Sequence, residues 1–375
     1  MKKRVVRPVT KWGYQTVVKP VLFRQSPDAV HEGLIKVGKI TQKLPIVKHA
    51  PQLWRHRSAI LQQELFGITF PTPVGLSAGF DKNIELVPTM KRVGFGFMIG
   101  GSVTALPCDG NPHPWFHRLP KTRSLVVYAG LPNKGIRRII ANLRQYPKSI
   151  LHDFPLSVSV AKTNSPEVVS DAAAIEDYCE SLRQLEHAEI NQLYEINISC
   201  PNTYGGEPFT TPDRLGLLLD AIDRLKLSRP VFIKMPISLS WNDFRKLLDV
   251  IVAHDVQGVT IGNLLKNRSK AVLHDPLNEE VKGSLSGAPT RDISTRLIER
   301  TYKMYGDTLC IIGVGGVFTA QQAYDKIKAG ASLVALISGA IFEGPQIAGD
   351  INQGLEQLLK GDGYQSVADA VGRGV

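Results

Sequence analysis

A chain of 375 residues with 43% apolar content has material for one large core and an appendage, which excludes a natively disordered polymer. Its four cysteines, at 108, 179, 200 and 310, show no Cys-x-x-Cys spacing, so no metal site, iron–sulfur cluster or disulfide framework is expected, and a reducing compartment is the natural setting. The formal charge of +11 sits at the front: residues 1–57 carry thirteen Lys or Arg against Asp28 and Glu32, and the rest of the chain is balanced.

Such a basic segment suits an anionic bilayer, nucleic acid or solvent. It has no aromatic single-strand platform and no recognition-helix pattern, so no nucleic-acid partner is expected. No run approaches 18 apolar residues, so no spanning helix is expected either. Ser26 is placed to cap a helix, with Pro27 at its first position and Asp28 in its first turn. Val30, Leu34, Val37 and Leu44 then recur at three- and four-residue steps or multiples of them, with Lys36, Lys39 and Lys43 beside them. That pattern fits a helix lying in a membrane interface, with Trp12, Tyr14 and Phe23 at suitable depth, so residues 1–45 are expected to touch a membrane surface. A helix packed on the main domain and an organellar transit peptide are the alternatives. The expected division is a basic helical extension over 1–60 and a main domain over 61–375.

From residue 73 onward, strand-like runs alternate with amphipathic stretches. Strands are predicted at Pro73–Gly79, Phe95–Val103, Leu156–Lys162, Leu193–Cys200, Val231–Pro236, Gly258–Asn263, Cys310–Gly316 and Leu333–Gly339. Helices are predicted at Pro166–Leu185, Pro212–Leu225, Trp241–His254, Thr290–Tyr305 and Thr319–Ala329. Eight alternations predict an α/β fold, a closed parallel (β/α)8 TIM barrel, with an open doubly wound sheet as second choice.

In a barrel of this kind chemistry gathers at the carboxyl ends of the strands, and here those ends are polar or glycine-rich. The most informative is Asn197-Ile-Ser-Cys-Pro-Asn-Thr203, where a thiol stands between two carboxamides. Cys200 is the candidate base, and Asn197 and Asn202 offer donors and acceptors suited to a planar, amide-like ring. Gly315-Gly316 and Ser338-Gly339 close the last two strands, where barrels often hold phosphate on main-chain N–H groups. Gly205-Gly206 is a candidate lid hinge.

Together these segments resemble the dihydroorotate dehydrogenase family. The resemblance rests on Val74-Gly-Leu-Ser-Ala-Gly-Phe-Asp-Lys82, Ile99-Gly-Gly-Ser-Val-Thr104, the Cys200 segment, Ile233-Lys234, Ser284-Leu-Ser-Gly287, Ile311-Ile-Gly-Val-Gly-Gly316 and Ile337-Ser-Gly339, in order and spacing. Phe23-Arg-Gln-Ser-Pro-Asp-Ala-Val-His-Glu32 is similar to the extension of the membrane-associated, quinone-reducing class, and Arg118 matches its tunnel arginine. The resemblance implies FMN as cofactor, held by Ala78, Gly79, Ser102, Asn197, Lys234, Gly287, Gly315, Gly316, Ser338 and Gly339. It implies substrate contacts from Lys82, Asn197, Asn202 and Asn263. It implies oxidation of (S)-dihydroorotate to orotate in pyrimidine biosynthesis, with Cys200 taking the carbon-5 proton and a quinone as final acceptor. Location would be peripheral on a membrane, on the cytoplasmic face of the inner membrane in a bacterium, with mitochondria as the alternative. On residue chemistry alone, Lys234 is also suited to counter negative charge on a reduced flavin.

Several positions depart from the family pattern. Cys200 stands where the quinone class carries serine, and Leu131-Pro132-Asn133 is similar to the soluble class. Val127 and Leu264 replace an asparagine and a threonine of the substrate pocket, while Ser159 and Gly262 replace an asparagine and a threonine near the flavin. Two alternatives therefore stand beside dihydroorotate oxidation: a related FMN oxidoreductase acting on another ring, and a catalytically silent flavin-bound module on a membrane surface.

Overall fold

A computed structural model of the chain describes residues 2–44 and 47–375; Met1, Pro45 and Ile46 lie outside them, so the expected membrane segment is described from residue 2 to residue 44. Eight strands form the body: β1 (Val74–Leu76), β2 (Phe97–Val103), β3 (Leu156–Val160), β4 (Leu193–Asn197), β5 (Val231–Met235), β6 (Gly258–Ile261), β7 (Cys310–Val314) and β8 (Leu333–Leu336). Each is parallel to the next, and Val334–Leu336 of β8 pairs with Val74–Leu76 of β1, so the sheet closes on itself. The doubly wound alternative is thereby excluded.

The predicted strands are in place, but all except β2 stop one to three residues before their expected carboxyl ends. Leu193–Cys200 ends at Asn197, and Leu333–Gly339 ends at Leu336. Physically, the polar and glycine residues at these ends leave the ladder to build the mouth, with Gly79, Gly262, Gly315 and Gly316 all at positive φ. The helix expected at Pro166–Leu185 starts only at Asp171, because Pro166–Val168 forms a separate short turn and the Ser170 hydroxyl caps the helix by accepting from Ala173 N–H at 3.2 Å. The other helical segments fall within three residues of expectation.

Inside the barrel, Phe97, Leu193, Phe232, Ile312 and Leu333 fill the amino-terminal half. A hairpin of Gln63–Leu65 and Ile68–Phe70 stoppers that end, turning on Phe66 and Gly67, both at positive φ as a two-residue hairpin turn requires. The Phe70 ring meets Phe97 edge-on at 5.6 Å. Toward the mouth the interior becomes polar, with Ser159, Glu195, Asn197, Lys234 and Thr260 all buried. A three-stranded antiparallel sheet of Phe116–Leu119, Ser124–Val127 and Ser284–Leu285 borders the mouth. Neither the hairpin nor this sheet was expected from the sequence.

The extension is almost wholly helical. Helices α1 (Lys2–Gly13) and α2 (Lys19–Phe23) are joined by a wider helical turn at Tyr14–Val18, and α3 (Pro27–Thr41) follows. The Arg7 guanidinium donates to Gly349 O and the Gln353 side chain, the Tyr14 hydroxyl to Ile341 O at 2.6 Å, and the Gln15 amide to Phe342 O at 2.7 Å. These contacts fasten α1 and the turn after it to the last barrel helices. Two details differ from expectation: the Ser26 side chain makes no capping hydrogen bond, and Leu44 lies beyond the end of α3.

Candidate functional site

The loop after β1 begins the mouth. Asp81 accepts from Glu85 N–H at 2.9 Å and Leu86 N–H at 2.7 Å, which fixes the turn that presents Lys82. Burial pushes the Asp81 carboxyl up to about 6 against the pull of those N–H groups. Lys82 packs over the rings of Phe116 and Trp115, 5.0 and 5.6 Å from their centroids. Burial lowers its ammonium to about 8, opposed by the charges of Asp81, Asp28 and Glu32. His31 of α3 lies 3.4 Å from Lys82 Nζ, and burial followed by the Lys82 charge pushes that imidazole down to about 3, so it stays neutral.

Across the mouth, β4 ends in the Cys200 segment. Tyr178 donates to Asn197 O at 2.8 Å, and the Asn197 amide donates to Ser102 Oγ at 2.8 Å, which itself lies 2.8 Å from Ser159 Oγ. Ser159, where the resemblance expects asparagine, thus joins a buried hydroxyl–amide chain. Asn263 donates to Ser199 O at 2.6 Å and Ser199 Oγ at 2.7 Å while its Oδ1 accepts from Leu264 N–H. Asn202 donates to Val127 O at 3.0 Å, and its own carbonyl accepts from the Asn111 amide. The loop beyond Cys200 is tied by Lys162, which donates to Tyr204 O at 2.6 Å, and by Asn164, which accepts from Tyr204 N–H at 2.7 Å. Gly205 and Gly206 follow at φ 71° and 67°, where glycine is favoured. Burial pushes the Cys200 thiol up to about 11, against the pull of the Asn202 N–H and the Lys234 charge. A thiol raised this far carries little thiolate near neutral pH.

Ala78, Gly79, Lys82, Ser102, Arg118, Asn197, Cys200, Asn202, Lys234, Asn263 and Ser338 all line one cavity. Gly287, Gly315, Gly316 and Gly339 line an adjoining cleft that shares Ala78, Lys234, Asn263 and Ser338 with the first. The residues expected to contact cofactor, substrate or quinone therefore all border one continuous region. A Cβ on Gly316 would stand 2.4 Å from Arg291 Cβ and one on Gly339 2.2 Å from Val317 O, so these glycines let the main chains close around the cleft. A lysine at the junction and a glycine-walled end suit a ligand that carries a planar ring and a phosphate.

The other wall comes from the extension, the part that the resemblance to the quinone class assigns to a tunnel. Pro27, Val30, His31 and Leu34 of α3 line the same cavity beside Phe80 and Phe116, so an apolar passage leads from the mouth under the extension. Arg118 stands along it, donating to Gln25 O at 2.6 Å with its guanidinium 4.8 Å from the Phe23 ring. Asp28 closes the seam: its carboxylate accepts from Trp115 N–H at 2.8 Å and Phe116 N–H at 3.0 Å and lies 2.6 Å from His113 Nδ1. Val127 and Leu264 also face this cavity.

Comparison with known proteins agrees with this geometry. The family model described as dihydroorotate dehydrogenase matches residues 60–359. A Mycobacterium protein named dihydroorotate dehydrogenase (quinone) is 34% identical, over 96% of this chain and 98% of its own length. Its namesake from Deinococcus radiodurans is 34% identical over 96% of this chain and all of its own, and that of Synechocystis 31% over 93% of each. A crystal structure of an Eimeria tenella DHODH in complex with ferulenol superposes with a TM-score of 0.81 at 27% identity, covering 92% of this chain and 95% of that one.

Proposed function

Since the chain belongs to the dihydroorotate dehydrogenase family, and to its quinone class, we propose that it oxidises (S)-dihydroorotate to orotate in pyrimidine biosynthesis and delivers the electrons to a quinone. The observation that carries this reading is the single cavity bordered by Cys200, Lys82, Asn202, Asn263 and Lys234 at one end and by α3 with Arg118 at the other. We assign residues 61–375 as the FMN-binding barrel and 1–60 as the unit that forms the quinone passage and meets the membrane.

FMN, when bound, supplies the hydride acceptor. Ala78, Gly79, Ser102, Asn197 and Lys234 would hold its ring end, and Gly287, Gly315, Gly316, Ser338 and Gly339 its phosphate end. Lys82 provides a cation for the substrate carboxylate, and Asn197, Asn202 and Asn263 border the ring. Cys200 removes the carbon-5 proton as the carbon-6 hydride leaves, so the carbon 5–carbon 6 double bond forms with both electrons accounted for. The loop carrying Tyr204, just beyond the thiol, is held in place by Lys162 and Asn164. The apolar walls of Val30, Leu34 and Phe116 suit a quinone approaching from the lipid side, with Arg118 beside it.

Exposed apolar side chains on the extension support a peripheral membrane location, on the cytoplasmic face of the inner membrane in a bacterial cell. No described helix is long and apolar enough to cross a membrane. The test is the anaerobic half-reaction: dihydroorotate should bleach the flavin, and a quinone should restore the colour faster than fumarate or NAD. Purified protein without flavin, or flavin that dihydroorotate leaves oxidised, would overturn the proposal.

A second reading is favoured by Val127 and Leu264, which put apolar groups against the substrate, and by Asn202 and Asn263, whose amides are engaged by Val127 O and Ser199. It assigns the same FMN chemistry to a ring with fewer polar substituents. Bleaching by such a reduced ring in preference to dihydroorotate would select it, with a discrimination of about 1–3 kcal/mol per polar group left unpaired.

A further inference from the structure

The barrel interior holds one carboxylate that the mechanism above does not use. Glu195 lies on β4, two residues before Asn197, and is 1% exposed. Both of its carboxylate oxygens are buried without a hydrogen-bond partner, and Oε1 stands 4.0 Å from Lys234 Nζ. On β4 and β5 Asn197 is paired with Lys234, so Glu195 sits one pleat deeper than the residues that border the cavity. Its immediate sheet neighbours are Ser159, whose hydroxyl is engaged by Ser102, and Phe232, which is apolar. Thr260, beside Lys234 on β6, likewise leaves its hydroxyl without a partner. A buried carboxylate is costly unless it is paired, and among the described residues only Lys234 stands within ion-pair distance of it. Lys234 is also the lysine shared by the cavity and the glycine-walled cleft.

We propose that Glu195 is a positioning residue that anchors the Lys234 ammonium from below and offsets its charge, setting the reduction potential of the flavin above it. The inference rests on the flavin reading of this site. Two-electron reduction by a hydride adds one negative charge to a neutral flavin ring, and an unopposed Lys234 would favour that anion. A carboxylate beneath the lysine weakens the preference, holding the potential lower and leaving reduced flavin a stronger donor to the next acceptor.

The test is the midpoint potential of the holoenzyme, measured by equilibration with a reference dye, for wild type, Glu195→Gln and Glu195→Asp. Glu195→Gln keeps the shape and removes the charge, so its ratio of reduced to oxidised flavin at a fixed potential should rise at least tenfold, a positive shift of about 30 mV for a two-electron couple. Glu195→Asp keeps the charge and should stay within threefold of wild type. An unchanged or lower potential in Glu195→Gln overturns the proposal. If Glu195→Gln cannot retain flavin while Glu195→Asp does, the charge serves to hold the flavin rather than to tune it, and the potential-setting role is overturned. Loss of flavin from both variants reduces Glu195 to a structural part of the barrel and overturns it. A wild-type protein that holds no flavin sinks the flavin reading itself, and this proposal with it.

Discussion

At the scale of single residues, two groups at the mouth set opposite limits on pH. Cys200 must lose its proton to act as base, and burial has pushed that loss up to about 11. Lys82 must keep its proton to face an anionic substrate, and burial has brought that loss down to about 8. The base therefore titrates above the cation, and both groups are correctly protonated in only a small fraction of the enzyme at any pH. The expected kcat/KM rises about tenfold per pH unit up to about pH 8 and then runs flat toward about pH 11. A profile that levels off near pH 6 would contradict these roles, and Cys200→Ala should leave flavin bound but unreduced. A third group bears on stability. Lys326 is fully buried and donates to Ser294 Oγ at 2.6 Å and Thr295 Oγ1 at 3.0 Å; burial lowers its ammonium to about 7. Its folded-state value lies below the unfolded one, so between about pH 7 and 10.5 the unfolded chain binds the extra proton. Stability from this group thus rises with pH across that window, by at most about 1.4 kcal/mol per unit, and its penalty is complete below pH 7. Urea melts of Lys326→Met between pH 7 and 10 should show a flatter pH dependence than wild type; an equal slope would count against the buried ammonium.

At the scale of elements, α3 is both a wall of the passage and a detachable part. Asp28 joins it to the segment before the Phe116–Leu119 strand through two main-chain N–H groups and His113. Asp28→Ala leaves Trp115 and Phe116 N–H unpaired, at a cost of about 1–3 kcal/mol for each that stays buried. We expect quinone reoxidation to fall at least tenfold while anaerobic reduction by dihydroorotate stays within threefold, because Cys200 and Lys234 stand on other elements. Stopped-flow measurement of both half-reactions decides it, and equal losses in both would show that α3 shapes the substrate end too. The role of Asp28 was not legible in the sequence, where an acid after Ser26-Pro27 reads as a first-turn charge. The barrel strands were legible because short apolar-rich runs such as Leu193–Asn197 and Val231–Met235 are buried throughout and alternate with amphipathic stretches. The Phe116–Leu119 and Ser124–Val127 strands were not, being four residues each and of mixed polarity. Cys200 and Asn202 stood out because a thiol flanked by carboxamides ends an apolar strand, and Asn263 because the resemblance places it among the substrate contacts. Glu195 did not, since one acid within a strand gives no sign of which way it faces.

At the scale of the whole molecule, the extension carries the exposed apolar side chains on which the proposed membrane contact rests. Arg7, Tyr14 and Gln15 face inward to the barrel helices, which turns Val5, Val9 and Trp12 outward at 62%, 60% and 67% exposure. On α3, Leu34, Val37 and Ile40 are likewise exposed at 44%, 55% and 61%, while Leu34 also borders the passage. The α3 stripe thus lies beside the passage through which a quinone would enter, α1 carries a second stripe, and Arg24, Lys36 and Lys43 are exposed on the same extension. Apolar burial and attraction to anionic headgroups act together here, and each cation near the surface adds about 1 kcal/mol that salt screens. The protein should therefore sediment with anionic phospholipid vesicles and be partly released by salt. The double variant Trp12→Glu, Ile40→Glu should bind at least tenfold more weakly while keeping its flavin. Turnover with a short, water-soluble quinone should stay within threefold of wild type, because neither side chain lines the cavity, whereas turnover with a long-chain quinone dissolved in the vesicles should fall in step with binding. Undiminished vesicle binding by the double variant would place the membrane contact elsewhere on the molecule and leave the two stripes without that role.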